Sequence, residues 1–186
     1  MTITIMQNSP AQLSTLIDGV YTVPIRTFHD ARGAFMETFR REWFPWVNWE
    51  KMQSNRSDSK ANVLRGLHFH RHQIDYWYVP KGIVRAVMVD LRASSPTYRA
   101  VQIIELGEEN NTGVFIPEGV AHGFLALTAA TLTYIVNNYY DGKDEFGVAW
   151  NDPDLNIDWG VESPVISGRD AANPRFADIP QADIPE

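Results

Sequence analysis

The feature that most constrains this chain is a succession of short apolar segments with a period of two, separated by turns rich in Pro, Gly and Asn. Ile83-Val84-Arg85-Ala86-Val87-Met88-Val89-Asp90 is rich in β-branched residues and ends at the polar turn Arg92-Ala93-Ser94-Ser95-Pro96-Thr97. Ala100 to Leu106 follows, then the turn Gly107 to Gly113, the segment Val114-Phe115-Ile116, and the turn Pro117-Glu118-Gly119. Gly123 to Leu127 and Leu132 to Val136 continue the pattern. Successive side chains on a strand point to opposite faces, so segments of this length and period pack as an antiparallel sandwich or barrel. A helical reading is confined to Glu37–Val47, where Pro45 allows a turn or two. Pro164 to Glu186 carries four prolines and reads as an extended tail laid over the body. The expectation is one all-β domain with short helical segments and irregular termini, its core over about 20–160 and its tail over 161–186.

Composition narrows the function. With 44% hydrophobic and 21% charged residues among 186, the chain can bury a sizeable core and is not disordered. Sixteen Lys and Arg against twenty-three Asp and Glu leave a net charge of −7, which argues against nucleic acid or an anionic membrane as partner. The absence of cysteine excludes disulfides, Cys-ligated zinc and thiol chemistry. The first residues, MTITIMQNSPAQL, lack the basic and apolar regions of a signal peptide, and no apolar run approaches the roughly 18 residues of a membrane span. The expected compartment is the cytoplasm. Aromatics at 12% fit a β domain with a lined pocket.

The histidines carry the chemistry. His68, His70 and His72 alternate along one extended segment and so share a face; Asp75 and Trp77 follow before the turn Pro80-Lys81-Gly82. His122 follows Pro117-Glu118-Gly119-Val120-Ala121 at the start of another strand. For any one of these histidines a hydrogen-bonded place on a polar strand face is the simpler account. The whole spacing resembles the double motif of the cupin superfamily: His-x-His, four residues, an acid, six residues and Gly, then Pro-x-Gly-x-x-His. That resemblance implies a jelly-roll β-sandwich barrel. His68, His70, Asp75 and His122 are then candidate ligands for a divalent transition metal, since imidazole and carboxylate suit Fe, Mn, Ni or Zn.

Longer blocks resemble one cupin family, the dTDP-4-dehydrorhamnose 3,5-epimerases. They include Asp30-Ala31-Arg32-Gly33-Ala34-Phe35-Met36-Glu37, Val63-Leu64-Arg65-Gly66-Leu67-His68, Val89-Asp90-Leu91-Arg92, Ile116 to Phe124, Asn138-Tyr139-Tyr140, Trp150-Asn151-Asp152-Pro153 and Ser167-Gly168-Arg169-Asp170. The resemblance implies an epimerase acting on a dTDP-4-keto-6-deoxyhexose at C3, C5 or both, without a cofactor. His68 matches the general base, Asp170 the carboxylate orienting it, and Tyr134 the acid returning a proton from the opposite face. Tyr140 matches an aromatic lining the sugar pocket, and Arg65 and His122 match residues around the substrate. Arg32, Glu37, Gln53, Asn55, Glu145 and Arg169 match contacts to the nucleotide sugar. The family is typically a homodimer whose N-terminal strands reach across to the partner.

Two positions depart from the family. His70 stands where a Gln is usual, and Asp75 stands where a Lys is usual, with Tyr76-Trp77-Tyr78 around it in place of aliphatic residues. A cation beside the keto oxygen stabilises an enolate, and losing one such donor typically costs about 2.7–4 kcal/mol. A metal on His68, His70, Asp75 and His122 could replace that charge, at the cost of committing the lone pair of His68; Tyr134 or His72 would then be the candidate base. Without metal, Asp75 could pair with a protonated histidine and raise its pKa. Three functions follow from these readings: the epimerase-like enzyme, a metal-dependent cupin enzyme on a related keto-sugar or small polar substrate, and a nucleotide-sugar binding protein without catalysis. Base and orienter are both present, which favours an enzyme.

Overall fold

Ile83–Asp90 is almost uninterruptedly apolar because both of its faces are covered. Val84, Ala86 and Met88 face one apolar cluster while Val87 and Val89 face another. The computed structural model describes residues 9–186 and builds the rest of the fold around that double burial. In chain order the strands are β1 (Gln12–Leu13), β2 (Tyr21–Pro24), β3 (Thr27–Asp30), β4 (Gly33–Met36), β5 (Gln53–Ser59), β6 (Leu64–Phe69) and β7 (Asp75–Lys81). They continue with β8 (Ile83–Asp90), β9 (Val101–Gly107), β10 (Thr112–Ile116), β11 (Val120–Ala126), β12 (Ala130–Val136) and β13 (Phe146–Gly147). One short helix, α1 (Gly168–Ala171), lies in the tail. A six-stranded sheet in the order β1-β2-β10-β7-β12-β5 packs on a five-stranded sheet in the order β13-β6-β11-β8-β9. β3 and β4 form a separate hairpin. The strands pair antiparallel throughout, giving the expected all-β jelly-roll sandwich rather than a closed barrel.

The layers explain the aromatic content. Trp77, Val79, Val114, Phe124 and Leu132 join the inner face of β8 between the sheets. Tyr76, Tyr78 and Phe115 point outward from the six-stranded sheet, where Trp43, Phe44 and their neighbours cover them. The outer face of the five-stranded sheet is covered by Leu155, Trp159, Phe176 and Ile179. Each such side chain contributes about 1.5–3 kcal/mol on burial, so these irregular segments are held by their anchors and not by a ladder.

Several sequence expectations change in detail. Glu37–Val47 holds only the 3-10 turn Arg41–Trp43. The chain does not turn over Pro80-Lys81-Gly82: β7 runs through Pro80, and Gly82, at φ +75°, alone separates it from β8. Pro80 fits because the β12–β7 register shifts between Thr131 and Thr133, so the ladder is already broken there. His68, His70 and His72 do not share one extended segment, since β6 ends at Phe69 and His72 lies on an exposed bend. The tail follows the body as expected: Val165 exchanges hydrogen bonds with Asn62 and Leu64, which leads the chain into α1. Of the N-terminal strands expected to reach across to a partner, β1 and β2 join the six-stranded sheet, and residues 1–8 lie outside the described residues.

Candidate active site

Three strands of the six-stranded sheet present alternate residues to one cavity of about 450 Å3. β5 offers Gln53, Asn55 and Ser57, β7 offers Asp75 and Trp77, and β12 offers Leu132, Tyr134 and Val136. Arg65, His68, His70, His122 and Phe124 close it from the opposite sheet. Arg65 and His68 are three positions apart, and an unbroken strand would send them to opposite faces. The β11–β6 register shifts between His122 and Phe124, which places both on the cavity side. The shift needs Gly66 and Gly123: a Cβ on Gly66 would lie 2.7 Å from the Gly123 Cα.

Behind His68, the imidazole Nε2 lies 2.7 Å from Asp170 Oδ1, while Gly66 N–H donates to Asp170 Oδ2 at 3.2 Å. Ser167 caps α1 by accepting from Asp170 N, which fixes the carboxylate against β6. Burial acts to raise the Asp170 pKa, but the bonds from His68 and Gly66 and the charge of Arg169 outweigh it and hold it below the ordinary carboxylate value. An ionised Asp170 keeps the His68 proton on Nε2, leaving Nδ1 with the lone pair of a base. Tyr134 has its pKa raised by burial, then by Asp75 and Glu145, so its phenol keeps its proton at neutral pH. Glu145 is pushed up by burial and pulled further down by Arg169, whose Nη1 lies 2.7 Å from Oε1.

His70, Asp75 and His122 converge on the inner end of the cavity. One ligand atom from each lies within 4.8 Å of the others. His68 is not in that group, since neither of its ring nitrogens comes within that distance of all three, so the four-residue ligand set read from spacing reduces to three. Burial dominates at His122 and lowers its pKa to about 4; Asp75 acts in the expected upward direction but is outweighed there.

The other expected residues divide into two groups. Gln53, Asn55, Arg65, Tyr140, Glu145 and Arg169 line the cavity with His68, Tyr134 and His122, and Tyr140 stands at its mouth, 71% exposed. Gln53 Nε2 donates to Asn55 Oδ1 at 2.8 Å, and Arg65 Nε donates to Ser59 Oγ at 3.1 Å. Arg32 and Glu37 are not brought there. Arg32 pairs with Asp30 on the β3–β4 turn, and Glu37 pairs with Arg40 at 2.6 Å, the hairpin forming a two-stranded sheet of its own. His72 lines a different cleft, with Trp46 and Glu118, and is removed as a candidate base.

Sequence reasoning passed over three supporting groups. Gln73 Nε2 and Trp77 Nε1 donate to the two oxygens of Asp75 at 3.1 and 3.3 Å. Both lie two positions from Asp75, so the period of two could have found them. Asp144 accepts from the backbone N–H groups of Arg71 and His72, and its carbonyl lies 2.6 Å from His70 Nδ1. No local pattern marks it.

The comparisons with known proteins agree over nearly the whole chain. The model of the dTDP-4-dehydrorhamnose 3,5-epimerase family matches residues 14–178. The dTDP-4-dehydrorhamnose 3,5-epimerase of Shigella flexneri is 36% identical over 177 residues, covering 89% of this chain and 96% of the relative. Among solved structures, the dTDP-6-deoxy-D-glucose-3,5-epimerase of Legionella pneumophila, in complex with dTDP-4-keto-L-rhamnose, superposes with a TM-score of 0.86. It is 34% identical and covers 94% of this chain and 96% of that one. A 3'-monoepimerase from Streptomyces bikiniensis, in complex with dTDP-quinovose, gives a TM-score of 0.87 at 31% identity and covers 94% and 92%. On sequence and structure together, the chain belongs to the dTDP-4-dehydrorhamnose 3,5-epimerase family.

Proposed function

We propose that this chain epimerises a dTDP-4-keto-6-deoxyhexose at C3, C5 or both. The observation that carries this reading is the His68–Asp170 dyad opening onto the cavity that Tyr134 also lines. A proton on carbon beside the C4 keto group is acidic because its electron pair can pass to the keto oxygen. His68 Nδ1 takes that proton, the C–H pair becomes the enolate, and the imidazolium is held by ionised Asp170. Tyr134 donates its phenolic proton to the same carbon from the opposite face, which inverts the centre. Arg65 and Arg169 offer positive charge to a diphosphate, and Gln53 and Asn55 offer amides to the nucleotide.

Arg32 and Glu37 enter this reading through a second copy of the chain. Their hairpin projects from the body with Phe28 and Phe35 exposed, Phe35 at 70%. A homodimer that lays the hairpin over its partner's cavity would bury both rings and bring Arg32 to the nucleotide. Mixing an Arg32→Ala chain with a His68→Asn chain is then expected to yield more activity than either alone, because mixed dimers contain one intact site. Activity no greater than the two parents' sum would remove the shared site.

The direct test of the reaction is proton exchange. With a dTDP-4-keto-6-deoxyhexose in D2O, deuterium is expected to enter at C3, C5 or both by NMR, identifying the positions handled. No incorporation at either carbon would overturn the epimerase reading.

A further inference from the structure

Three acceptors converge at one end of the cavity. His122 Nδ1 lies 2.9 Å from the Val120 carbonyl and His70 Nδ1 2.6 Å from the Asp144 carbonyl. A carbonyl oxygen only accepts, so both imidazoles carry their proton on Nδ1 and, when neutral, present a bare Nε2 lone pair. His122 Nε2 lies 3.9 Å from Asp75 Oδ2, and the two rings are 5.7 Å apart between centroids. Asp75 is 3% exposed, and its donors, Gln73 and Trp77, orient the carboxylate from its own strand. Two lone pairs and a carboxylate pointed together repel one another unless a cation or a donor lies between them, and a divalent cation satisfies all three at once. Metal-binding histidines commonly have the other ring N–H fixed by a carbonyl, and their carboxylates are in turn hydrogen-bonded. Both kinds of support are in place here.

We infer that His70, Asp75 and His122 bind one divalent transition metal, which supplies the positive charge to the keto oxygen that the Lys-to-Asp departure removes. Two imidazoles and one carboxylate suit Fe(II), Mn(II), Co(II), Ni(II) or Zn(II), and three protein ligands leave positions open to the cavity. Ligand atoms about 2.1 Å from an ion stand about 3–3.5 Å apart, so the group must draw in by about 1 Å. His70, half-buried beyond the end of β6, has room for that movement. The conflict in the four-ligand reading disappears, since His68 stays with Asp170 and keeps its lone pair as base. The two departures from the family pattern, His70 and Asp75, are then one change: each supplies a ligand. Metal binding stands independently of the epimerase reading, and the assignment of the charge rests on it.

The experiment is titration of chelator-stripped, untagged protein with Co(II), followed by calorimetry and visible absorption. One Co(II) per chain with d–d bands of nitrogen and oxygen ligation is expected. His70→Gln is the substitution least disruptive to the fold and is expected to weaken binding by about 100-fold or more, with Asp75→Asn doing the same. His68→Asn is expected to leave the Co(II) affinity within a few-fold, which separates three ligands from four. Absence of stoichiometric binding, or binding indifferent to His70→Gln and Asp75→Asn, would overturn the site. Deuterium exchange into the keto-sugar is then compared for stripped and reloaded protein: loss on stripping and return on reloading is expected. Equal exchange in both states would overturn the charge role, whereas no exchange in either would count against the epimerase reading and leave the Co(II) result to decide the site.

Discussion

Substituting His68 by Asn is expected to lower kcat by about 10³-fold while leaving KM for the nucleotide sugar within a few-fold. Positioned acid–base groups contribute about 10²–10⁴ in rate, and His68 is the one cavity imidazole whose second nitrogen is held by an ionised carboxylate. The expected separation of kcat from KM follows from the layout, because Gln53, Asn55 and Arg169 reach the cavity from other segments. Asp170→Asn removes the charge that stabilises the imidazolium and offers His68 either an amide oxygen or an amide donor, the latter imposing the wrong tautomer. Its loss is expected to be of the same order. Steady-state kinetics decide both. A large rise in KM with kcat preserved would move these residues from proton transfer to binding.

The largest expected effect on stability lies outside the lining of the cavity, at Asp90. Its side chain is 0% exposed at the end of β8. Arg92 donates to it from the backbone N at 3.1 Å and from Nε and Nη2 at 2.8 Å each, while Ser95 and Thr97 donate their hydroxyls at 2.5 and 2.7 Å. Arg92 also donates to the Asp18 carbonyl, so this carboxylate ties the β8–β9 connection to the N-terminal segment. Asp90→Ala leaves a largely buried guanidinium and two hydroxyls without their acceptor, and is expected to cost about 3–5 kcal/mol. That is a large share of the roughly 5–15 kcal/mol that holds a domain folded.

The pH dependence has a definite sign. Burial acts to raise the Asp90 pKa, but the bonds from Arg92, Ser95 and Thr97 outweigh it, and the folded value lies below the ordinary one. A depressed carboxylate contributes its stability in full above the unfolded pKa near 3.9, and loses it as pH falls through the folded value. The destabilisation by Asp90→Asn is therefore expected to be greatest at neutral pH and to shrink below about pH 4. Urea denaturation at the two pH values tests this; an unchanged difference would mean that the charge of Asp90 is not what is lost.

What the sequence made legible follows from where each face of a strand is turned. β8, β9 and β12 are visible because apolar packing imposes their pattern. β5 is invisible to the same reasoning. Its residues, Gln53-Ser54-Asn55-Arg56-Ser57-Asp58-Ser59, alternate between a polar cavity and solvent at the edge of a sheet, so no apolar period exists. The β3–β4 hairpin escapes for a related reason, since it joins the ladder of neither sheet and leaves most of its residues exposed. At the site, His70, Asp75 and His122 were legible as a cluster because their spacing resembles the cupin double motif, and the packing of the two sheets brings them together. The separation of His68 from them was not, because it depends on where the shifted register of β6 places its ring. The position of Asp170 came from resemblance, and the geometry of Asp144 only from the fold.

The bond between His68 and Asp170 joins residues 102 positions apart and is the point at which the tail meets β6. Closing so long a loop is entropically unfavourable until the contacts at its ends reward it. Every strand of the two sheets ends by Gly147, so the ladders can pair in a refolding chain before the tail lays Phe176 and Ile179 over the five-stranded sheet and Asp170 against the base. Spectroscopic recovery of β structure and recovery of turnover are for that reason different clocks. A chain cut before α1 would lose the orienter of its base together with two of the anchors that cover the five-stranded sheet.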